Sequence, residues 1–269
     1  MSPLLELRGV SRSFGGLQAV KNVSLKVRPG SIHALIGPNG AGKTTTFNLI
    51  NGLQRLNAGQ VLFDGTDVTR MAVHARAERG MARTFQTPKL FENMSVLETV
   101  MCGCHLSGSL GPLGAMFAVR RKRHEQCAAL QRAEAVLARV GIQDLAELQC
   151  RNLAYGLRRL LEVARALAMS PKLLLLDEVA AGLNPTETAQ MAALVRSLAA
   201  EGIAVLLVEH DMAFVMGVSQ EITVLNFGSV LAQGTPQQIA GNQEVIDAYI
   251  GTWDEEPHPS ESAHSAITL

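Results

Sequence analysis

The sequence predicts an α/β fold built around a mainly parallel sheet. Three observations carry that expectation. First, the apolar run Ser31–Ile36 leads into Gly37-Pro38-Asn39-Gly40-Ala41-Gly42-Lys43-Thr44-Thr45 and then into Thr46–Asn51, a helix-like stretch stopped by Gly52. Strand, glycine-rich loop and helix in that order form a phosphate-binding loop. Second, apolar runs at Leu173–Leu176 and Ile203–Val208 alternate with amphipathic helical patterns, as in a sheet covered by helices. Third, the run from Leu173 ends in Asp177-Glu178, which places two acids at the sheet edge that the phosphate loop also faces.

Composition narrows the classes. The chain has 269 residues, enough for one domain of two lobes or two small domains. Its formal net charge is zero and its pI is about 7.1, so there is no global attraction to nucleic acid. Charged residues make up 18%, below the usual fraction of about 25%, which hints at a buried partner surface. Ile203–Val208 is far too short to span a bilayer. Met1–Arg8 lacks a signal-peptide layout, so the chain is expected in the cytosol. The four cysteines Cys102, Cys104, Cys127 and Cys150 are therefore expected to be reduced. Cys102-Gly103-Cys104 is too closely spaced for a zinc knuckle, and His105 beside it offers only a weak metal candidate.

The elements follow in order. Residues 4 to 36 read as strands, with Val23, Leu25 and Val27 alternating with polar neighbours and a turn at Pro29-Gly30. Phe14 precedes Gly15-Gly16; on spacing alone it is equally a core residue or an aromatic that stacks on a base. Gln60–Thr66 reads as a strand running into an Asp64-Gly65 turn. Gly80–Gln86 reads as a further strand ending at a polar residue. Ser95 and Glu98 form a capping box that starts a helix. A loop over residues 107–114 leads to a long helix from about Val119 to Val140, with Leu130, Ala133, Leu137 and Val140 on one face. The cluster Arg120-Arg121-Lys122-Arg123 at its start reads as a solvated face, with anionic headgroups the alternative.

A helix is expected from about Gly156 to Met169. Another starts at Asn184-Pro185-Thr186-Glu187 and buries Met191, Leu194, Val195 and Leu198 before stopping at Gly202. Ile203–Val208 ends at Glu209-His210-Asp211. A strand pair around Asn226–Ser229 and a short helix capped by Thr235 complete the pattern. The expected domain spans residues 4–251, with a helical lobe at about 88–169 inserted. The polar, acidic stretch 252–269 is expected to be a disordered tail.

The chemistry centres on phosphate. The loop glycines let backbone N–H groups line an anion nest, and the following helix adds its positive end. Lys43 reaches the β- and γ-phosphates, and the Thr44 hydroxyl can ligate Mg²⁺. Asp177 can hold the same ion opposite Thr44, and Glu178 can orient and deprotonate a water; phosphoryl transfer needs little more. His210 ends another buried strand, and spacing does not decide between a structural and a catalytic role.

In this order the motifs resemble the ATP-binding subunit of ABC transporters, over residues from about 4 to 251. Gln86 matches the Q-loop, Asn152–Arg159 the signature motif, Leu173–Asp177 Walker B, Ala181–Asn184 the D-loop and His210 the switch histidine. Several stretches are similar to branched-chain amino acid transporter subunits: Arg83–Gln86, Leu90–Val96, Ala180–Pro185 and the insert after Cys104. Importers of amides or urea share that look, and a soluble ABC protein remains the alternative class.

The resemblance implies a P-loop ABC ATPase fold with an antiparallel β subdomain and a helical subdomain, ATP and Mg²⁺ as ligands, and a head-to-tail dimer with a paralogous or identical cassette. In that frame Phe14 stacks on adenine, and Gly37, Pro38, Asn39, Gly40, Ala41, Gly42, Lys43, Thr44 and Thr45 hold the phosphates. Thr44, Gln86 and Asp177 serve the metal, Glu178 polarises water, and His210 contacts the γ-phosphate. Leu153, Ala154, Tyr155 and Gly156 face the partner's ATP. Residues 87–94 would touch a permease at the cytoplasmic face of the membrane, with a solute-binding protein engaged indirectly. Three residues depart from the pattern: Ala154 for serine, Leu157 for a polar residue and Val179 for proline. They leave an ATPase that is expected to work, with a less firmly held signature loop and a looser turn after Glu178.

Overall fold

The computed structural model describes residues 2–84, 90–104 and 118–250, with only the backbone course given for 118–125 and 250. Gln86, His105, the 107–114 loop and the 252–269 tail lie outside the described residues.

Two sheets organise the chain. The first is antiparallel, in the order β2-β1-β4-β5, built from β1 (Leu5–Phe14), β2 (Leu17–Val27), β4 (Ala58–Phe63) and β5 (Thr66–Asp67). The second has six strands in the order β10-β9-β3-β8-β7-β6. Its members are β3 (Ile32–Ile36), β6 (Met81–Arg83), β7 (Leu173–Asp177), β8 (Ala204–Val208), β9 (Glu221–Asn226) and β10 (Ser229–Gly234). β9, β3, β8, β7 and β6 run parallel, and β10 pairs antiparallel at one edge.

The parallel strands are apolar on both faces because both faces are covered. Leu174 and Leu176 of β7, with Val205 and Leu207 of β8, join a core that includes residues of α3 (Val96–Cys104), α5 (Tyr155–Leu167) and α6 (Pro185–Ala200). Their neighbours Leu173, Leu175, Ala204 and Leu206 join a second core with Phe47 of α1 (Lys43–Asn51) and the antiparallel sheet. The strand period of two thus assigns alternate residues to two separate cores.

Local signals act where the sequence places them. Ser95 and Glu98 exchange capping hydrogen bonds at the start of α3, and Asn184 and Glu187 do so at α6. Asp64 and Gly65, both with positive φ, make the tight turn from β4 to β5. The long helix α4 spans Ala118–Val140 and packs with α3 and α5. The strand expected at 80–86 is β6, Met81–Arg83. Elements with weaker signals are α2 (Val73–Glu78), α7 (Met212–Val218), α8 (Pro236–Ala240) and α9 (Gln243–Ile250).

Candidate active site

The phosphate loop leaves β3 through Gly37, Gly40 and Gly42, all with positive φ. A Cβ at Gly37 would lie 2.1 Å from the Leu225 carbonyl, and one at Gly42 2.5 Å from that of Ala19. Only glycine lets the loop pass that close to backbone. Gly42 is also the N-cap of α1 and supplies no side-chain cap, so the first N–H groups of the helix stay available to an anion. Pro38 and Ala41 are buried, Asn39, Gly40 and Thr44 are exposed, and Thr45 is half-buried. The turn at Phe227-Gly228 braces the loop: Gly228 N–H donates to Ala41 O at 3.1 Å, and Lys21 N–H to Gly228 O at 2.7 Å.

Lys43 is buried along this loop, its Nζ donating to Gly37 O at 2.6 Å and Pro38 O at 2.9 Å. Burial lowers its pKa, and the Glu178 carboxylate pulls it back up. Phe14 closes β1 and is 41% exposed, with the Arg12 guanidinium 4.6 Å from its ring centroid. The core-residue reading of Phe14 is thereby set aside.

Strand register brings the acids to the same edge. Asp177 pairs with Val208, and Glu178 N–H donates to Val208 O at 2.9 Å, so Glu178 lies level with Glu209-His210. Glu178 has φ +52, a left-handed backbone that costs a residue with a side chain. His210 Nε2 lies 3.0 Å from Glu178 Oε1. Asp177 is buried and ion-paired with Arg83 at 2.8 Å, and Arg83 also donates to Asn48 Oδ1 at 2.7 Å. Glu209 is 2% exposed and accepts from Ala180 N–H at 2.8 Å.

The signature residues sit at the start of α5. Leu153 is buried. Ala154 is the N-cap and provides no side-chain cap. Tyr155 is 45% exposed, and its ring would lie 3.0 Å from a Cβ at Gly182. A Cβ at Gly156 would meet the Glu187 carboxylate at 2.4 Å. Leu157 leans on the apolar core, while Arg158 braces the loop instead, donating to Leu153 O and Arg151 O at 2.9 Å each. Arg159 donates to the Tyr155 hydroxyl at 2.7 Å. Val179 is buried in the turn after β7.

Sequence reasoning missed three residues here. Arg83 reaches Asp177 because β6 and β7 are parallel neighbours with Arg83 opposite Leu175, a pairing that no local pattern reveals. Glu209 stands in the run Glu209-His210-Asp211 after β8, and nothing local singles it out. Tyr249 arrives on α9 near the phosphate loop, where burial pushes its phenol up to about 12 and the Gly37 backbone acts against that rise.

Comparisons with known proteins show the family. Residues 20–181 match the family described as ABC transporter, and residues 229–252 match one described as branched-chain amino acid ATP-binding cassette transporter. The chain belongs to the ABC transporter family of ATP-binding cassettes. It is 41% identical to the high-affinity branched-chain amino acid transport ATP-binding protein BraF of Pseudomonas aeruginosa, over 93% of this chain and 98% of the relative. It is 43% identical, over the same shares, to LivG of Escherichia coli, which carries the same description. A lipopolysaccharide export ATP-binding protein of Acidithiobacillus ferridurans, LptB, is 35% identical over 93% and 98%. Among solved structures, a nucleotide-free ATP-binding cassette superposes with a TM-score of 0.82 at 29% identity, covering 93% of this chain and 99% of that one.

For an ABC cassette the donor set suits magnesium. The Thr44 hydroxyl in the first turn of α1 and the Asp177 carboxylate at the end of β7, which also pairs with Arg83, are hard oxygen donors. Among the described residues no group of three or more His, Cys, Asp or Glu side chains gathers to cage a metal. Gln86, expected in the same shell, lies outside the described residues.

Proposed function

We propose that the chain is the ATP-hydrolysing subunit of an importer for branched-chain amino acids, peripheral on the cytoplasmic face and paired head to tail with a second cassette. The observation that carries this is the Glu178–His210 pair, 3.0 Å apart, at the sheet edge where Lys43 lies in the phosphate loop. The 229–252 match and the names of the relatives favour the substrate class. No described helix is long and apolar enough to cross a membrane, so transport requires permease partners.

In this reading Lys43 and the loop N–H groups hold the phosphates, and Phe14 stacks on adenine. Lys43 exchanges its two loop carbonyls for phosphate oxygens when nucleotide enters. Thr44 and Asp177 would hold Mg²⁺, which neutralises phosphate charge when bound. Glu178 orients the attacking water and takes its proton, while His210 fixes the Glu178 carboxylate and contacts the γ-phosphate. Leu153, Ala154, Tyr155 and Gly156 present the N-terminus of α5 to the partner's nucleotide. ATP favours the closed dimer because it touches both halves, and hydrolysis removes that preference.

Sedimentation of Glu178→Gln with Mg-ATP tests the proposal. Turnover should fall by at least about a hundredfold while ATP still binds and a dimer accumulates. A variant that still hydrolyses ATP at the parental rate would remove Glu178 from the mechanism. A monomer that binds ATP would require a different partner cassette or the permease.

A further inference from the structure

We propose that Glu209 is a positioning residue for hydrolysis, keying the turn after β7 to the strand end that carries His210, and so setting the Glu178–His210 geometry. This rests on the role given to Glu178 above. Within the turn the backbone bonds are long. Ala181 N–H reaches Glu178 O at 3.3 Å and Leu183 N–H reaches Ala180 O at 3.2 Å, both long for backbone bonds. Val179 has no ring to fix its φ, and Glu178 stands in a left-handed conformation that relaxes unless its surroundings hold it.

Glu209 supplies the hold. Its Oε1 accepts from Ala180 N–H at 2.8 Å, and His210 follows it directly in the chain. One carboxyl group therefore grips the residue two places after Glu178 from the position next to His210. The side chain is almost fully buried, so its direction is set by packing and not by solvent. A simple hydrogen-bonded loop anchor would serve equally well with a neutral group, but this one titrates in the working range. Burial raises the Glu209 carboxyl to about 7, Glu178 adds to that, and the backbone donors Ala180 and His210, with Arg159 of α5, act against it. Ionised Glu209 is the stronger acceptor for the Ala180 N–H, so the turn tightens as the pH rises through 7.

The test compares Glu209→Ala and Glu209→Gln in the full chain, by steady-state ATPase at pH 6 to 8.5 alongside thermal melts and ATP binding. Glu209→Ala should lower kcat about tenfold, the loss expected for one buried hydrogen bond to a reacting group's support, with KM for Mg-ATP within about twofold. Glu209→Gln keeps an acceptor for Ala180 and should restore most of that loss. It should also lose the rise in kcat near pH 7. A folded, ATP-binding Glu209→Ala protein with parental kcat and pH profile would overturn the proposal. So would a Glu209→Gln protein that keeps the inflection. Failure of the reading on which this rests shows separately, as continued turnover by Glu178→Gln.

Discussion

Glu178 holds an acid where the backbone would suit glycine. Its φ of +52 places a side chain in the left-handed region, at a cost of about 1 kcal/mol. The cost persists because Glu178 N–H is tied to Val208 O and the following turn to Glu209. Two replacements separate backbone from side chain. Glu178→Ala and Glu178→Gly both lose the His210 contact, but only glycine relieves the strain. The glycine variant should therefore be about 1 kcal/mol more stable to urea than the alanine variant, and on the proposed role of Glu178 neither should hydrolyse ATP. Equal stabilities would mean that the conformation carries no strain. Which residues the sequence revealed follows the same division between local and distant causes. Lys43, Asp177, Glu178 and His210 were legible because each ends or begins an element with its own pattern. Arg83, paired with Asp177 across 94 positions, and Glu209, paired with Ala180 across 29, were not, because their meaning depends on strand order.

At the scale of elements, the start of α5 shows how a departure in sequence becomes a physical deficit. Ala154 occupies an N-cap and offers no side-chain acceptor, whereas α6 has a full capping box from Asn184 and Glu187. Ala154→Ser should add about 1 kcal/mol of stability, or a rise in melting temperature of roughly 2–4 °C for a domain of this size. No change in melting would show that the exposed N–H groups are already satisfied by water. The two helix starts are also mechanically joined, since Gly156 lies against the Glu187 carboxylate and Tyr155 against Gly182. The cap at α6 was plain from Asn-Pro-Thr-Glu. That its glutamate also fixes how close Gly156 of α5 may come was not, because the contact joins two helices separated by β7. The weakening expected from Leu157 is answered by Arg158, whose guanidinium holds Leu153 O and Arg151 O.

For the whole molecule, two buried groups in the six-stranded sheet and its edge set opposing responses to pH. His33 of β3 is buried, with Nε2 2.8 Å from Thr223 Oγ1 on β9, and burial lowers its pKa from 6.5 to about 4. It stays neutral in the fold and charges on unfolding, so its contribution is complete above pH 6.5 and is lost as pH falls toward 4. Glu209 behaves in reverse. Burial raises it from 4.5 to about 7, so the fold holds a proton that the unfolded chain has released, and stability falls as pH rises from 4.5 to 7. Each effect is about 3 kcal/mol by linkage. Between pH 4.5 and 6.5 the two slopes oppose each other, and the parental protein should show a nearly level stability there as far as these groups decide it. Removing one partner exposes the other. Relative to the parent, Glu209→Gln should gain stability by about 2–3 kcal/mol as pH rises from 4.5 to 6.5, and His33→Gln should lose about as much. Urea unfolding at a series of pH values measures both. Variant curves parallel to the parental one would mean that neither group carries the proton difference, and that the sheet's buried acid and base are already balanced by neighbours within the fold.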